Sequence, residues 1–585
     1  MTAPALPYLP IRIGPAESSL FGWFHPHTGP SRNTGVVLCG PIGDEEVRAH
    51  RALRRLAERL GDAGFSVLRF DFHGTGDSSG SGREPGRVKT WLRDIGLAVA
   101  ELKARSGAAE IAIVGLRLGG TLAASFAAST PVDSLVLWNS YDSGTAYVHE
   151  VTRLHRMHKL LEPQSFASEP DNWIGSGEEA LGFPLSAETV RELRKIDLLS
   201  LEQSPAKQVL VLDAENAPAA SETKLFSHFG TVGGKVDHHN FPGQTFLDQV
   251  PHKAELPTAV LSDIMSWLNG KHPVRKQASS NKSVPSAAGA TESEVSLVFG
   301  GTHPLFGILT KAKDTSPSKA DRPAIIMLNA GCTHRIGPHR FYVSLARRFA
   351  DLGFSALRMD LSGIGDSPAA SGSADNLPYP PSWLDDVKQA MTALERATGA
   401  TRFILLGHFT GADLAFQSAL KNERVAGVMM LNPRTFGTYE MASIDSYKRA
   451  RYYQRSLLRA SSWKKALRGQ VDFRRALGML IPKFADLAQR RITHLLGQEG
   501  SESEVPDLLR LLAQRGVDLF IIATENDPGV YYVDTRFGTA MRSLESVHGY
   551  RREDFRGMDH TLTSLYAQEK IAQVLSEHLS TRSWA

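Results

Sequence analysis

Two stretches of the chain run a short apolar strand into a glycine-framed turn: "IVGLRLGGTLA" (residues 113–123) and "LLGHFTGADLA" (residues 405–415). Such a turn exposes its central residue at the strand end, above the first N–H groups of the following helix. A serine held there becomes an activated nucleophile. The central residues here are Arg117 and Phe409. Arginine is a permanent cation with five donors, and the helix N-terminus adds positive potential. The chemistry Arg117 offers is anion binding (a carboxylate or a phosphate) or an internal ion pair with Asp44, Glu45 or Glu46 of "GPIGDEEVR". A buried arginine needs such a partner. Phe409 offers no attacking atom at all. The only cysteines are Cys39 and Cys332, so neither a disulfide framework nor a cysteine metal site can be built, which fits a reducing compartment. His155 and His158 lie three apart on a predicted helix, "YVHEVTRLHRMHKLL". Lone HxxH spacing is a weak metal signal and surface histidines are the simpler reading, so no metal or cofactor is assigned.

The elements that must position these residues occur twice. "HRALRRLAERLGDAGFSVLRFDFHGTGDS" (50–78) matches "HRFYVSLARRFADLGFSALRMDLSGIGDS" (339–367), and "IAIVGLRLGG" (111–120) matches "FILLGHFTGA" (403–412). The spacing is that of a tandem domain duplication and not of a short-period solenoid. Residues 269–294 are rich in Ser, Ala, Lys and Pro, lack apolar periodicity and read as a flexible linker between domains at 1–268 and 295–585. In each copy buried strands ("GVVLCG", 35–40; "FSVLRFD", 65–71; "IAIVG", 111–115) alternate with helical patterns (51–64; a longer one from Trp91). That alternation predicts an α/β fold with a mostly parallel sheet and helices on both faces, its ligands beyond the C-terminal strand ends.

The ordered set, D-x-x-G-x-G-x-S after a strand followed by strand–G-x-x-x-G–helix, resembles the α/β-hydrolase superfamily in both halves. Its details are similar to the serine-aminopeptidase-like hydrolases found beside bacterial exosortase, exopolysaccharide and natural-product gene sets. The resemblance implies two tandem α/β-hydrolase domains, each with a helical cap insertion, and a Ser-His-Asp triad with a backbone oxyanion site. In the second copy it places the acid at Asp527 in "TENDPG" and the base at His560 in "FRGMDHTLT". Phe409 stands at the nucleophile position, and the N–H groups of Thr410 and of Gly331 or Cys332 are the oxyanion donors. In the first copy the three triad positions fall on Arg117, Ala217 and Phe246, so that triad is degenerate. Losing the serine of such a triad costs about a million-fold in turnover. Substitutes in the second copy are a water activated by Asp527–His560, the Cys332 thiol, or the hydroxyls of Thr410 and Ser362. The structural alternatives are a small buried cysteine and an inherited pair that ties two loops together.

Each copy carries an insertion before its acid strand, at about 141–205 and about 434–512. From Lys448 to Arg491 there are 4 Lys and 9 Arg against Asp472 and Asp486, with Tyr452, Tyr453 and Trp463 interleaved. A cap this basic suits an anionic partner such as coenzyme A, an acyl-carrier protein or an anionic lipid head, or it is the solvated face of amphipathic helices. The whole chain is nearly balanced, with 66 Lys+Arg against 62 Asp+Glu, which does not suit a nucleic-acid binder. Neither a secretory leader pattern at "MTAPALPYLPIRIG" nor an apolar run of membrane-spanning length is evident, and the expectation is a cytoplasmic protein. Three functions fit. One is acyl ester, thioester or amide chemistry (hydrolase or acyltransferase) at the second domain without the usual serine. A second is a non-catalytic pseudo-hydrolase that binds a ligand or serves as scaffold. The third is a lyase, cyclase or dehydratase using the Asp-His pair and the oxyanion site.

Overall fold

The computed structural model describes residues 6–170, 177–215, 224–242, 245–275, 293–301, 303–313, 322–377, 379–436, 504–525 and 527–584. The first half contributes β1 (Leu9–Ile13), β2 (Leu20–His25), β3 (Thr34–Cys39), β4 (Ser66–Phe70), β5 (Glu110–Leu116), β6 (Val132–Trp138), a small separate hairpin of β7 (Glu178–Ala180) and β8 (Phe183–Leu185), then β9 (Ala206–Ala214) and β10 (Lys235–Phe241). The second half contributes β11 (Glu294–Phe299), β12 (Leu305–Thr310), β13 (Ala324–Leu328), β14 (Ala356–Asp360), β15 (Phe403–His408), β16 (Val425–Leu431), β17 (Asp518–Thr524) and β18 (Tyr550–Phe555). They form two eight-stranded sheets, β1-β2-β4-β3-β5-β6-β9-β10 and β11-β12-β14-β13-β15-β16-β17-β18. The orders are the same once the hairpin is set aside. In each, the second strand (β2, β12) runs antiparallel to both its neighbours and the other pairings are parallel, as the βαβ alternation requires.

Apolar runs such as Ile111–Leu116 are buried because helices cover both sheet faces. In the first domain the helices Arg87–Ser106 and Leu118–Ser129 pack on one face and Asp44–Asp62 and Thr258–Lys271 on the other. The helix expected over 51–64 starts earlier, at Asp44. Gly43 takes φ 85°, and Asp44, Glu45 and Glu46 then fill the first turn, where negative charge suits the helix dipole. Among the described residues no helix is long and apolar enough to cross a membrane.

The two sheets meet through their β2 and β12 strands. Tyr8, Phe21 and Trp23 of the first pack with Phe306 and Ile308 of the second in one apolar cluster, the Trp23 and Phe306 rings 4.5 Å apart. Around it, the repeated Asp of D-x-x-G-x-G-D-S crosses to the other domain. Asp77 binds Arg358 and, at 2.7 Å, Arg335. Its counterpart Asp366 binds Arg69 at 2.8 Å and His50 at 3.1 Å across the boundary, and Arg335 of its own domain at 2.8 Å. The first Asp of each motif stays at home. Asp71 and Asp360 accept the backbone N–H of Asp77 and Asp366, holding the loop.

Candidate functional site

Both glycine-framed turns have the strained geometry of a nucleophile elbow, without a nucleophile. Arg117 sits at φ 55°, ψ −125° and Phe409 at φ 53°, ψ −114°. Positive φ in a residue with a Cβ costs about 1–3 kcal/mol, and the surrounding packing must hold it. Close backbone approach explains why the glycines remain. A Cβ on Gly115 would collide with the backbone of Gly120, and one on Gly119 with the carbonyls of Cys39 and Gly40.

A guanidinium at a helix N-terminus has the wrong sign for the dipole, and two carboxylates offset it. Arg117 Nε donates to Glu45 at 2.7 Å, and a terminal nitrogen donates to Glu150 at 2.6 Å and to the Tyr141 hydroxyl, over whose ring the guanidinium lies at 4.3 Å. Burial pushes the Glu45 carboxyl up, and Arg117 partly offsets that. Burial works against the Arg117 cation too, but Glu45, Tyr141 and Glu150 outweigh it and raise its pKa. Of the three acids named from sequence, Glu45 is the partner. Asp44 pairs with Arg48 instead. Glu150 was not among them, since nothing in the cap sequence marks which of its polar residues turns inward.

Over this ion pair lies a cavity of about 280 Å³. Its floor is Arg117, Glu45 and Glu46, and Ile42, Trp91 and Leu247 wall it from the domain body. The cap supplies the rest. Tyr147, Glu150, Val151 and Leu154 come from the helix Gly144–Leu161, and Ala180, Phe183 and Leu185 from the β7–β8 hairpin. The second domain holds that hairpin. Glu179 accepts the N–H of Leu565 at 2.9 Å, at the start of the helix Leu565–Thr581, and the Gly182 carbonyl accepts from Gln568 at 3.1 Å. Phe246, at the histidine position, is buried against Trp138 with ring centroids 5.5 Å apart. Ala217 lies outside the described residues. His155 and His158 both pack on Phe166, and burial lowers His155 to about 4. Among the described residues no group of three or more His, Cys, Asp or Glu can hold a metal ion.

In the second domain the Phe409 ring stacks on His408 at 3.8 Å and lies 5.0 Å from the ring of His560. The His560 carbonyl accepts from His408 Nε2 at 2.8 Å and from Asn432 at 3.1 Å, which fixes its loop beside the elbow. Asp527 is buried and caps the helix Pro528–Arg542 by accepting the Val530 N–H at 2.8 Å. Thr410 and Gly331, read as possible oxyanion donors, are bonded to one another: the Gly331 N–H donates to the Thr410 hydroxyl at 2.9 Å. The Cys332 thiol is 3.5 Å from the Asn376 carbonyl and lines a small crevice against His50 and Arg51 of the first domain. Burial pushes it up to about 12, so it is not a thiolate at neutral pH. Ser362 donates to Asp386 at 2.6 Å. Most of the basic cap, residues 437–503, lies outside the described residues.

The family model for serine aminopeptidase, S33, matches residues 47–168 and again 323–470. An uncharacterized protein of Mycobacterium tuberculosis is 35% identical over 127 residues, 21% of this chain, and the match spans only 42% of that relative's length. Solved structures similar to this chain include Est1E from Butyrivibrio proteoclasticus (17% identity, TM-score 0.34, covering 45% of this chain and 98% of that one) and a proline iminopeptidase of Mycobacterium smegmatis (19% identity, TM-score 0.32, 49% and 97%). The two family-model matches, the repeated strand order and the paired elbows define an α/β-hydrolase fold in both halves of the chain.

Proposed function

We propose that this protein is a pseudo-hydrolase that binds a small acyl-bearing molecule in the first domain and does not cleave it by triad chemistry. The observation that carries the reading is the cavity over Arg117. It keeps the place and enclosure of a substrate pocket, while the residue at the attacking position is locked into an ion pair with Glu45 and Glu150. Apolar walls with a few fixed polar groups suit an amphiphilic ligand. The guanidinium is already matched by two carboxylates, so anion capture is the weaker use of Arg117. The second domain then acts as a brace through Glu179 and Gln568, with coenzyme A or a carrier protein as candidate partners for its basic cap.

A second reading, ester, thioester or amide chemistry at the second domain, is favoured by the position of His560 beside the elbow. The experiment that separates the two offers short acyl esters and thioesters to the purified chain and its His560→Ala variant, and treats both with a fluorophosphonate probe. Binding without triad chemistry predicts no labelled serine and no turnover that depends on His560. A labelled serine, or turnover lost in His560→Ala, would overturn it.

A further inference from the structure

The cap helix Gly144–Leu161 continues past the cavity it lines. Leu154 borders the cavity and is 36% exposed; beyond it Met157 is 43%, Leu160 80% and Leu161 72% exposed. Four of the nine exposed large apolar side chains among the described residues fall within these eight positions, which is a patch and not the usual scatter. Its charged neighbours are mostly cations. Arg153 and Arg156 are exposed and have no ion pair among the described residues. Lys159 pairs with Glu169 at 3.0 Å and covers the Phe166 ring. The acids nearby are Glu150, turned inward onto Arg117, and the exposed Glu162 at the helix end. Apolar side chains beside unpaired arginines are the makeup of a helix that lies in a lipid headgroup layer.

We propose that the C-terminal half of this helix docks on an anionic lipid surface. Met157, Leu160 and Leu161 enter the acyl boundary while Arg153 and Arg156 meet headgroup phosphates. Charge complementarity selects an anionic membrane over a neutral apolar partner. The stripe also joins the cavity at Leu154, so an amphiphile leaving the membrane meets apolar surface all the way in; that last step rests on the ligand-binding reading above.

The test is co-sedimentation of the full chain with vesicles of phosphatidylcholine plus phosphatidylglycerol, or of phosphatidylcholine alone. The chain is expected to pellet with the anionic vesicles only. Leu160→Glu/Leu161→Glu and, separately, Arg153→Glu/Arg156→Glu should each cut the bound fraction about tenfold, and added salt should weaken binding. All four positions are exposed and none lines the cavity. The proposal is overturned if the anionic vesicles are not bound, or if both variants bind as the parent does, which would place the contact elsewhere, for example on the basic stretch 448–491. It is also overturned if the glutamates abolish self-association of a chain that ignores vesicles. A parallel titration in solution with the neutral fluorophore N-phenylnaphthylamine separates the two readings. Vesicle binding without probe binding removes the ligand site and leaves the docking face, and the converse removes the docking face alone.

Discussion

Arg117 is held by what surrounds it, and its removal should be felt as lost stability before any change in function. Arg117→Ala leaves Glu45 and Glu150 close together without their cation. The expected loss is about 2–4 kcal/mol in a denaturant titration, below the value for a fully buried pair because Glu150 is partly solvated. Adding Glu45→Gln and Glu150→Gln to that variant should restore most of it. At Phe409 the blocked donor makes a graded prediction. Phe409→Ser alone should leave ester hydrolysis at background, because the Thr410 hydroxyl occupies the Gly331 N–H. Phe409→Ser/Thr410→Ala frees that donor and should raise the rate roughly 100-fold over Phe409→Ser, as measured with a chromogenic acetyl ester. The acids at 44–46 were legible as partners for Arg117 because they follow β3 directly, and sheet order puts the ends of β3 and β5 side by side. Glu150 was not. It arrives on an inserted cap, and no periodicity in "YVHEVTRLHRMHKLL" tells which polar residue faces inward.

At the scale of elements, the hairpin of β7 and β8 is the joint between the two domains' working ends. It closes the first domain's cavity and is pinned by the helix that follows the His560 loop. Burial raises the Glu179 carboxyl to about 7. Since its folded pKa lies above the ordinary carboxyl value, the native state holds the proton more tightly than the unfolded chain. Stability from this group is greatest below about 4.5 and falls as pH rises toward about 7. Glu179→Gln keeps an acceptor for the Leu565 N–H and should flatten that part of the pH–stability profile. Glu179→Ala should loosen the hairpin, read as faster amide exchange at Ala180–Leu185. The strands, elbows and repeat were legible because buried runs and glycine spacing are set by packing, and packing persists when catalysis is absent. Two three-residue strands in a cap carry no such periodic signal.

For the whole molecule, the domain contact is the feature that a single sequence hides most completely. The motif D-x-x-G-x-G-D-S reads as a loop near a ligand site, yet Asp77 and Asp366 each serve the neighbouring domain, through partners about 260–320 residues away in the chain. At the same boundary Glu294 faces Arg358, Arg347 and Arg12. Burial would raise its carboxyl, but those guanidinium groups outweigh the penalty and lower it to about 2. Its folded pKa lies below the ordinary carboxyl value, so its contribution is present above about 4.5 and lost as pH falls toward about 2. Calorimetry should show a single unfolding transition at neutral pH that splits into two in that acid window. Asp77→Asn removes the carboxylate that Arg335 and Arg358 share across the boundary, leaving Arg335 to Asp366 and Arg358 to Glu294, and should produce the same splitting at neutral pH.

On the proposed function, the first domain holds a ligand where a hydrolase would hold its substrate. Titration with N-phenylnaphthylamine, comparing the parent chain with Val151→Trp, tests it most directly, because the indole would occupy the cavity from the cap side. Saturable binding is expected in the parent, and Val151→Trp should abolish it while the thermal transition stays within a few degrees. Binding equal in the two proteins, or absent from the parent, would contradict it.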